Sequence, residues 1–197
     1  VLSDNLGYYL DAYNTWSSYG VESDGIAVFY TSVYGHTKKA VDLLVDKLNA
    51  NGCPKTEVFD LARCDMSEAT AAAFRYGKTI LATTTYNADV FPFMKEFINH
   101  LTERNFCNRT VGFIENGSWA PQATSVMHAM LSQCKGLTFA VHNVRIISAL
   151  DADSSAAVEQ LAQEMCREYI VKQASATNKN DMNSLFNIGY GLYVITT

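Results

Sequence analysis

Two patterns of apolar and polar residues alternate along this chain. Short unbroken apolar or β-prone runs occur at Gly25-Ile26-Ala27-Val28-Phe29-Tyr30, Thr56-Glu57-Val58-Phe59-Asp60-Leu61, Lys78-Thr79-Ile80-Leu81-Ala82-Thr83 and Arg109-Thr110-Val111-Gly112-Phe113-Ile114, and a fifth strand falls within 137–147. Between them the apolar positions recur at helical spacing, as in Ala40, Val41, Leu43, Leu44, Val45 and Leu48. Helices are predicted there and over 67–76, 91–104, 119–133 and 154–171. Strands that are apolar throughout are buried on both faces, and short loops join each strand to the next helix. This predicts an α/β fold: a doubly wound five-stranded parallel sheet with helices on both faces.

The ends read differently. Leu6, Tyr9, Leu10, Tyr13 and Trp16 fall on one stripe, so 3–18 is expected to be an amphipathic helix, with Ser3 and Asp4 available to cap it and 21–24 as a short linker. The stripe could pack on this domain or on something upstream. Residues 172–180 are polar and aperiodic, which predicts a mobile linker, and Leu192 to Thr197 reads as an unpaired strand, expected to be disordered or to pair with another chain. The chain is divided at 1–23, 24–171 and 172–197. Its first residue is Val, not Met, which suggests a piece of a longer polypeptide.

With 197 residues, 48% of them hydrophobic, the central segment can bury a single full core. A net charge of −5 argues against nucleic acid or an anionic membrane as partner, since both require a basic surface. The five cysteines (Cys53, Cys64, Cys107, Cys134, Cys166) are odd in number and widely spaced, so reduced thiols are expected, with no disulfide framework and no zinc or iron–sulfur site. No apolar run approaches the roughly 18 residues of a membrane span. A cytoplasmic location is expected.

The candidate chemistry lies where strands end. After the first strand, Thr31-Ser32-Val33-Tyr34-Gly35-His36-Thr37 runs into a helix start, where unpaired backbone N–H groups and the helix dipole can hold an anion without a lysine. The loop lacks both the Gly-x-x-x-x-Gly-Lys-Ser/Thr and the Gly-x-Gly-x-x-Gly patterns, so nucleotide triphosphates and dinucleotides are disfavoured. A plainer alternative is that Ser32 and Thr37 only cap the helix. The loop from Thr83 to Asp89 ends the third strand, and Glu115 to Gln122 ends the fourth. In a doubly wound sheet all three face one crevice. Tyr86 and Trp119 at that crevice suit a planar ring carrying a phosphate tail.

These residues resemble a known family. Ser32-Val33-Tyr34-Gly35-His36-Thr37 is similar to the flavodoxin phosphate loop, with Tyr34 where its middle threonine stands, a departure typical of flavodiiron proteins. Thr85-Tyr86-Asn87 followed by Phe91-Pro92, and then Gly117-Ser118-Trp119, resemble the second and third flavin loops of the flavodoxin-like domain of those proteins. The resemblance spans about 24–171. It extends to 3–19, which look like the helix following a diiron domain, and to 182–197, which look like the start of a flavin-reductase-like domain. The diiron His-x-Glu-x-Asp-His cluster is absent from this sequence, and His36, His100, His128 and His142 are scattered singly.

What the resemblance implies is an FMN-binding electron-transfer domain of a flavodiiron-type oxygen or nitric oxide reductase. The implied cofactor contacts are Thr31, Ser32, Val33, Tyr34, Gly35, His36 and Thr37 at the phosphate, Thr84, Thr85, Tyr86 and Asn87 at the ring edge, and Asn116, Gly117, Ser118 and Trp119 beside the ring. No catalytic residue and no metal ligand is implied. The implied partners are the diiron and flavin-reductase-like domains of the parent chain and a redox partner such as rubredoxin or a reductase, and a homodimer is allowed. The competing reading is a flavodoxin-like NAD(P)H or quinone oxidoreductase, against which stands the absence of a second nucleotide pattern. A fold-only interaction module is a third reading; the hydroxyls of Ser32 and Thr37 argue against it.

Overall fold

Six consecutive residues from Gly25 to Tyr30 are buried, as a central strand covered on both faces requires. The computed structural model describes residues 4–186. Its elements are α1 (Leu6–Ser17), β1 (Ser23–Tyr30), α2 (His36–Ala50), β2 (Thr56–Asp60), α3 (Met66–Arg75), β3 (Tyr76–Tyr86), β4 (Asp89–Val90), α4 (Pro92–Glu103), β5 (Thr110–Asn116), α5 (Ala123–Leu131), β6 (Thr138–Phe139), β7 (Val144–Ile146) and α6 (Ala152–Phe186). The parallel sheet runs β2-β1-β3-β5, with β6 and β7 both along the far side of β5. Alternate residues feed two cores. Ile26, Val28, Ile80 and Ile114 meet α2 and α6 on one face; Ala27, Phe29, Leu81 and Phe113 meet α3, α4 and α5 on the other.

The predicted fold is the one found, with differences that have local causes. The fifth strand is broken: β6 pairs with Thr110 and Val111, β7 with Ile114 to Asn116, and the chain steps aside between them. There the Val141 and His142 amides donate to the Glu164 carboxylate of α6, each at 2.9 Å, in place of ladder bonds. A two-residue β4 turns back antiparallel on β3. The helix expected over 119–133 begins only at Ala123, because 117–122 form the loop that leaves β5. The expected linker at 172–180 is instead part of α6, which contains no proline or glycine to stop it. Residues 21–24 are not all linker, since β1 takes in Ser23 and Asp24.

α1 starts after Asn5, whose side chain makes no cap bond, and none of its residues is buried. Its apolar side chains, Leu6, Tyr9, Leu10, Tyr13 and Trp16, are all exposed. The stripe is therefore not spent on the sheet. The strand expected at 192–197, and with it most of the proposed reductase-like start, lies outside the described residues.

The break in the fifth strand makes Glu164 a pH-sensitive fastener. Burial raises its pKa, but the two amides and His142 more than offset this, so the net shift is downward from the ordinary 4.5. A depressed carboxylate contributes stability that is complete above its unfolded value and lost as pH falls through the folded one. Glu164→Ala is expected to lower stability by about 1–2 kcal/mol at neutral pH, from the lost charge-assisted hydrogen bonds. Thermal melts should show this gap closing as the pH is taken from about 6 to about 3; a gap independent of pH would show that the carboxylate charge is not what fastens the strand.

Candidate functional site

The strand order reverses between β1 and β3, whose following loops diverge and open a crevice at the carboxyl edge of the sheet. A cavity of about 440 Å³ lies there, within the usual range for small-molecule sites. It is lined by Ser32, Val33, Tyr34, His36 and Thr37 from the first loop, Thr84, Thr85, Tyr86 and Phe91 from the second, Asn116, Gly117 and Ser118 from the third, and Ser148.

The first loop leaves backbone donors open at a helix start. Gly35 precedes α2 in the left-handed region (φ 85°), and a Cβ placed there would meet no protein atom within 4 Å. The Ser32 Oγ accepts from the amides of Gly35 (3.1 Å) and Lys38 (3.3 Å), which orders the loop and leaves its own O–H to donate elsewhere. The capping and binding alternatives for Ser32 are thus compatible. Among the described residues, the amides of Val33, Tyr34 and His36 donate to no protein acceptor. No Lys, Arg, Asp or Glu side chain lines the cavity. Lys38 points its ammonium at Asp42 (2.8 Å), which raises its pKa. Attraction for an anion must therefore come from backbone N–H groups and the α2 dipole.

A hydroxyl and amide network forms the floor. Thr37 Oγ1 lies 3.2 Å from Thr84 Oγ1 and accepts from Asn116 Nδ2 at 3.4 Å, and the same amide group donates to the Ser148 carbonyl at 3.2 Å. Thr31 is buried beneath, its hydroxyl 2.7 Å from that of Thr83, and it does not reach the cavity. Thr85 spends its hydroxyl on the first amides of α5, accepting from Gln122 (3.0 Å) and Ala123 (3.2 Å). It lines the cavity while serving as a remote helix cap.

The aromatic walls are Tyr34, largely exposed, and Tyr86, about half exposed, with Phe91 edge-on to Tyr86 at 5.6 Å. Two residues expected at the ring do not line this cavity. Asn87, in the left-handed region (φ 50°), lines an adjoining cavity with Asp89, Lys95 and Asn99. Trp119 is 87% exposed and outside the lining. Phe91 and Ser148 line the cavity although neither is among the expected contacts. Phe91 stood in the quoted Phe91-Pro92 pair and could have been found there; Ser148 (φ 64°) belongs to a fourth loop that becomes visible only once the end of β7 is placed.

Below the third loop, the buried Glu115 accepts from the Thr124 amide (2.9 Å) and from Arg145 Nε (2.6 Å), tying β5 to α5 and β7. The four histidines lie apart: His36 at the cavity, His100 on α4, His128 against Phe139, and His142 on Glu164. Among the described residues no group of His, Cys, Asp and Glu could hold a metal ion, and no helix is long and apolar enough to cross a membrane.

No protein-family model and no curated protein sequence matches this chain. Its fold, however, matches solved structures. It superposes on rubredoxin:oxygen oxidoreductase from Desulfovibrio gigas with a TM-score of 0.77 and 18% identity, covering 87% of this chain and 42% of that one. Against the flavodiiron protein from Giardia intestinalis the values are 0.76, 16%, 86% and 42%. A flavodoxin from Streptococcus pneumoniae TIGR4 gives 0.62 and 20%, covering 73% of this chain and 98% of that one. The fold is flavodoxin-like. The chain spans about two fifths of the length of the first two proteins and contains nearly the whole of the third.

Proposed function

We propose that this domain binds FMN and relays electrons as part of a flavodiiron-type oxygen or nitric oxide reductase. The carrying observation is the first loop, which presents unspent backbone amides and an open glycine at a helix start, at the base of a 440 Å³ cavity walled by tyrosines. The donor set fits a phosphate, and the two rings fit a flat heterocycle. Ser32 and the amides of Val33, Tyr34 and His36 would hold the phosphate; Tyr34, Tyr86 and Phe91 would bound the ring. FMN, when bound, supplies the one- and two-electron chemistry, and the protein supplies binding and orientation.

Thr37, Thr84 and Asn116 satisfy one another and keep the floor rigid, so no group there is left as a general base or nucleophile. On this reading the diiron site belongs to another domain, a rubredoxin or a reductase delivers the electrons, and the setting is cytoplasmic. The extent of the match to D. gigas and G. intestinalis proteins supports this arrangement.

The test is reconstitution. The purified chain mixed with FMN should show flavin absorbance bands at one equivalent, and these should bleach with a chemical reductant but only slowly and without saturation with NADH or NADPH. Saturable turnover of either nucleotide would favour the oxidoreductase reading, and failure to retain FMN would sink both.

A further inference from the structure

We propose that Cys53 and Cys166 form a reversible disulfide that fastens α6 to the end of α2 when the protein meets a hydroperoxide. The two residues are distant in sequence, and the fold brings them together. Cys53 follows the last turn of α2, and its amide donates to the Leu48 carbonyl at 3.0 Å. Cys166, on the buried face of α6, directs its Sγ to that same carbonyl at 3.8 Å. The Cys53 backbone and the Cys166 sulfur thus converge on one carbonyl oxygen, inside one buried cluster. All five cysteines are free, and among the described residues only these two meet at a shared carbonyl.

The surroundings assign the roles. Cys166 is wholly buried, whereas Cys53 is 9% exposed, so a small oxidant reaches Cys53 first. As a thiol, Cys53 donates to the Lys55 carbonyl at 3.2 Å. Once deprotonated, its sulfur can accept from Cys166 and from Thr56, whose buried hydroxyl otherwise has no partner among the described residues. The neighbouring Cys166 thiol is the largest influence, and with Thr56 it holds the Cys53 thiol below its ordinary pKa against the cost of burial, while Cys166 is pushed up. Cys64 and Cys134, which are more accessible, are pushed up by burial without such compensation. Nucleophilicity follows the thiolate.

The chemistry balances with hydrogen peroxide as oxidant. The Cys53 thiolate attacks one peroxide oxygen, the O–O bond breaks, and the departing hydroxide takes a proton to become water, leaving a sulfenic acid. Cys166 sulfur then attacks the Cys53 sulfur; the S–OH bond breaks, and the hydroxide leaves as water with the Cys166 proton. Two thiols are oxidised by two electrons and one peroxide is reduced to two waters. The bridge closes a loop of roughly 110 residues, which restricts the unfolded chain strongly.

The experiment treats the full chain with a small excess of hydrogen peroxide at neutral pH, blocks remaining thiols with iodoacetamide, and maps peptides without reduction. The expected result is one main cross-linked pair containing Cys53 and Cys166. A rise in melting temperature on the order of 10 °C, reversed by dithiothreitol, should accompany it. Cys53→Ser and Cys166→Ser should each abolish that rise. Recovery of Cys53 as sulfinic acid with Cys166 still alkylated, or of Cys53 bridged to Cys64, Cys107 or Cys134, would overturn the proposal. The peptide map of the unsubstituted chain decides the matter even if either variant fails to fold.

Discussion

Replacing Gly35 with valine is expected to weaken FMN binding by at least about a hundredfold, or ~3 kcal/mol. Two effects combine. The residue sits at φ 85°, a conformation that costs a β-branched side chain on the order of 1–2 kcal/mol, so the loop is strained before any ligand arrives. The side chain would also project into space that no protein atom fills, where an anion approaches the loop amides. Gly35→Ala carries much of the strain with little of the bulk, and its melting temperature measures the first effect separately. The decisive comparison is FMN against riboflavin, titrated by quenching of flavin fluorescence. The unsubstituted chain should prefer FMN strongly, and the preference should collapse in the valine variant. Equal loss for both ligands would place the phosphate elsewhere.

The sequence made this loop readable because its signals are local. An apolar strand, a glycine and a helix face lie within twenty residues, and the crevice follows from the alternation of strands and helices. The same logic located the second and third loops but not what their side chains do. Thr85 caps α5, a helix that starts 38 residues later, and Asn87, on a left-handed bend, lines an adjoining cavity; neither outcome leaves a trace in spacing. The broken fifth strand was equally hidden. Its two missing ladder bonds are replaced by Glu164, more than twenty residues away on α6, so 137–147 reads as one strand until the helix is in place. Trp119 is expected at a ring because it and Tyr86 both stand on loops beside the phosphate loop; in the structure it lies exposed, outside the cavity lining.

A second large effect is expected at the opposite edge of the sheet, where Arg109 was read only as the first residue of a strand. Its side chain is 3% exposed and has no carboxylate partner among the described residues. Instead its two terminal nitrogens donate to five backbone carbonyls: Tyr19 (3.0 Å), Gly20 (2.9 Å), Phe74 (2.7 Å), Cys107 (3.2 Å) and Asn108 (3.2 Å). Those carbonyls belong to the segments that enter β1, β3 and β5, so one guanidinium gathers the amino ends of three central strands and anchors the exit of α1. Burial lowers its pKa, which reports the cost of desolvating the charge. That cost is offset because planar, fork-shaped donors satisfy several oxygens at once. Arg109→Met keeps much of the volume and relieves the desolvation, but leaves five acceptors without their donor. The net loss is expected to be about 2–4 kcal/mol, a fall in melting temperature of roughly 5–15 °C. Lysine, a point charge with three donors, should recover only part of it. FMN affinity should stay within about threefold, since the crevice lies at the carboxyl ends of these strands. A melting temperature unchanged in Arg109→Met would mean that water serves the carbonyls as well as arginine does. A parallel loss of FMN binding would mean that the two edges of the sheet are not independent.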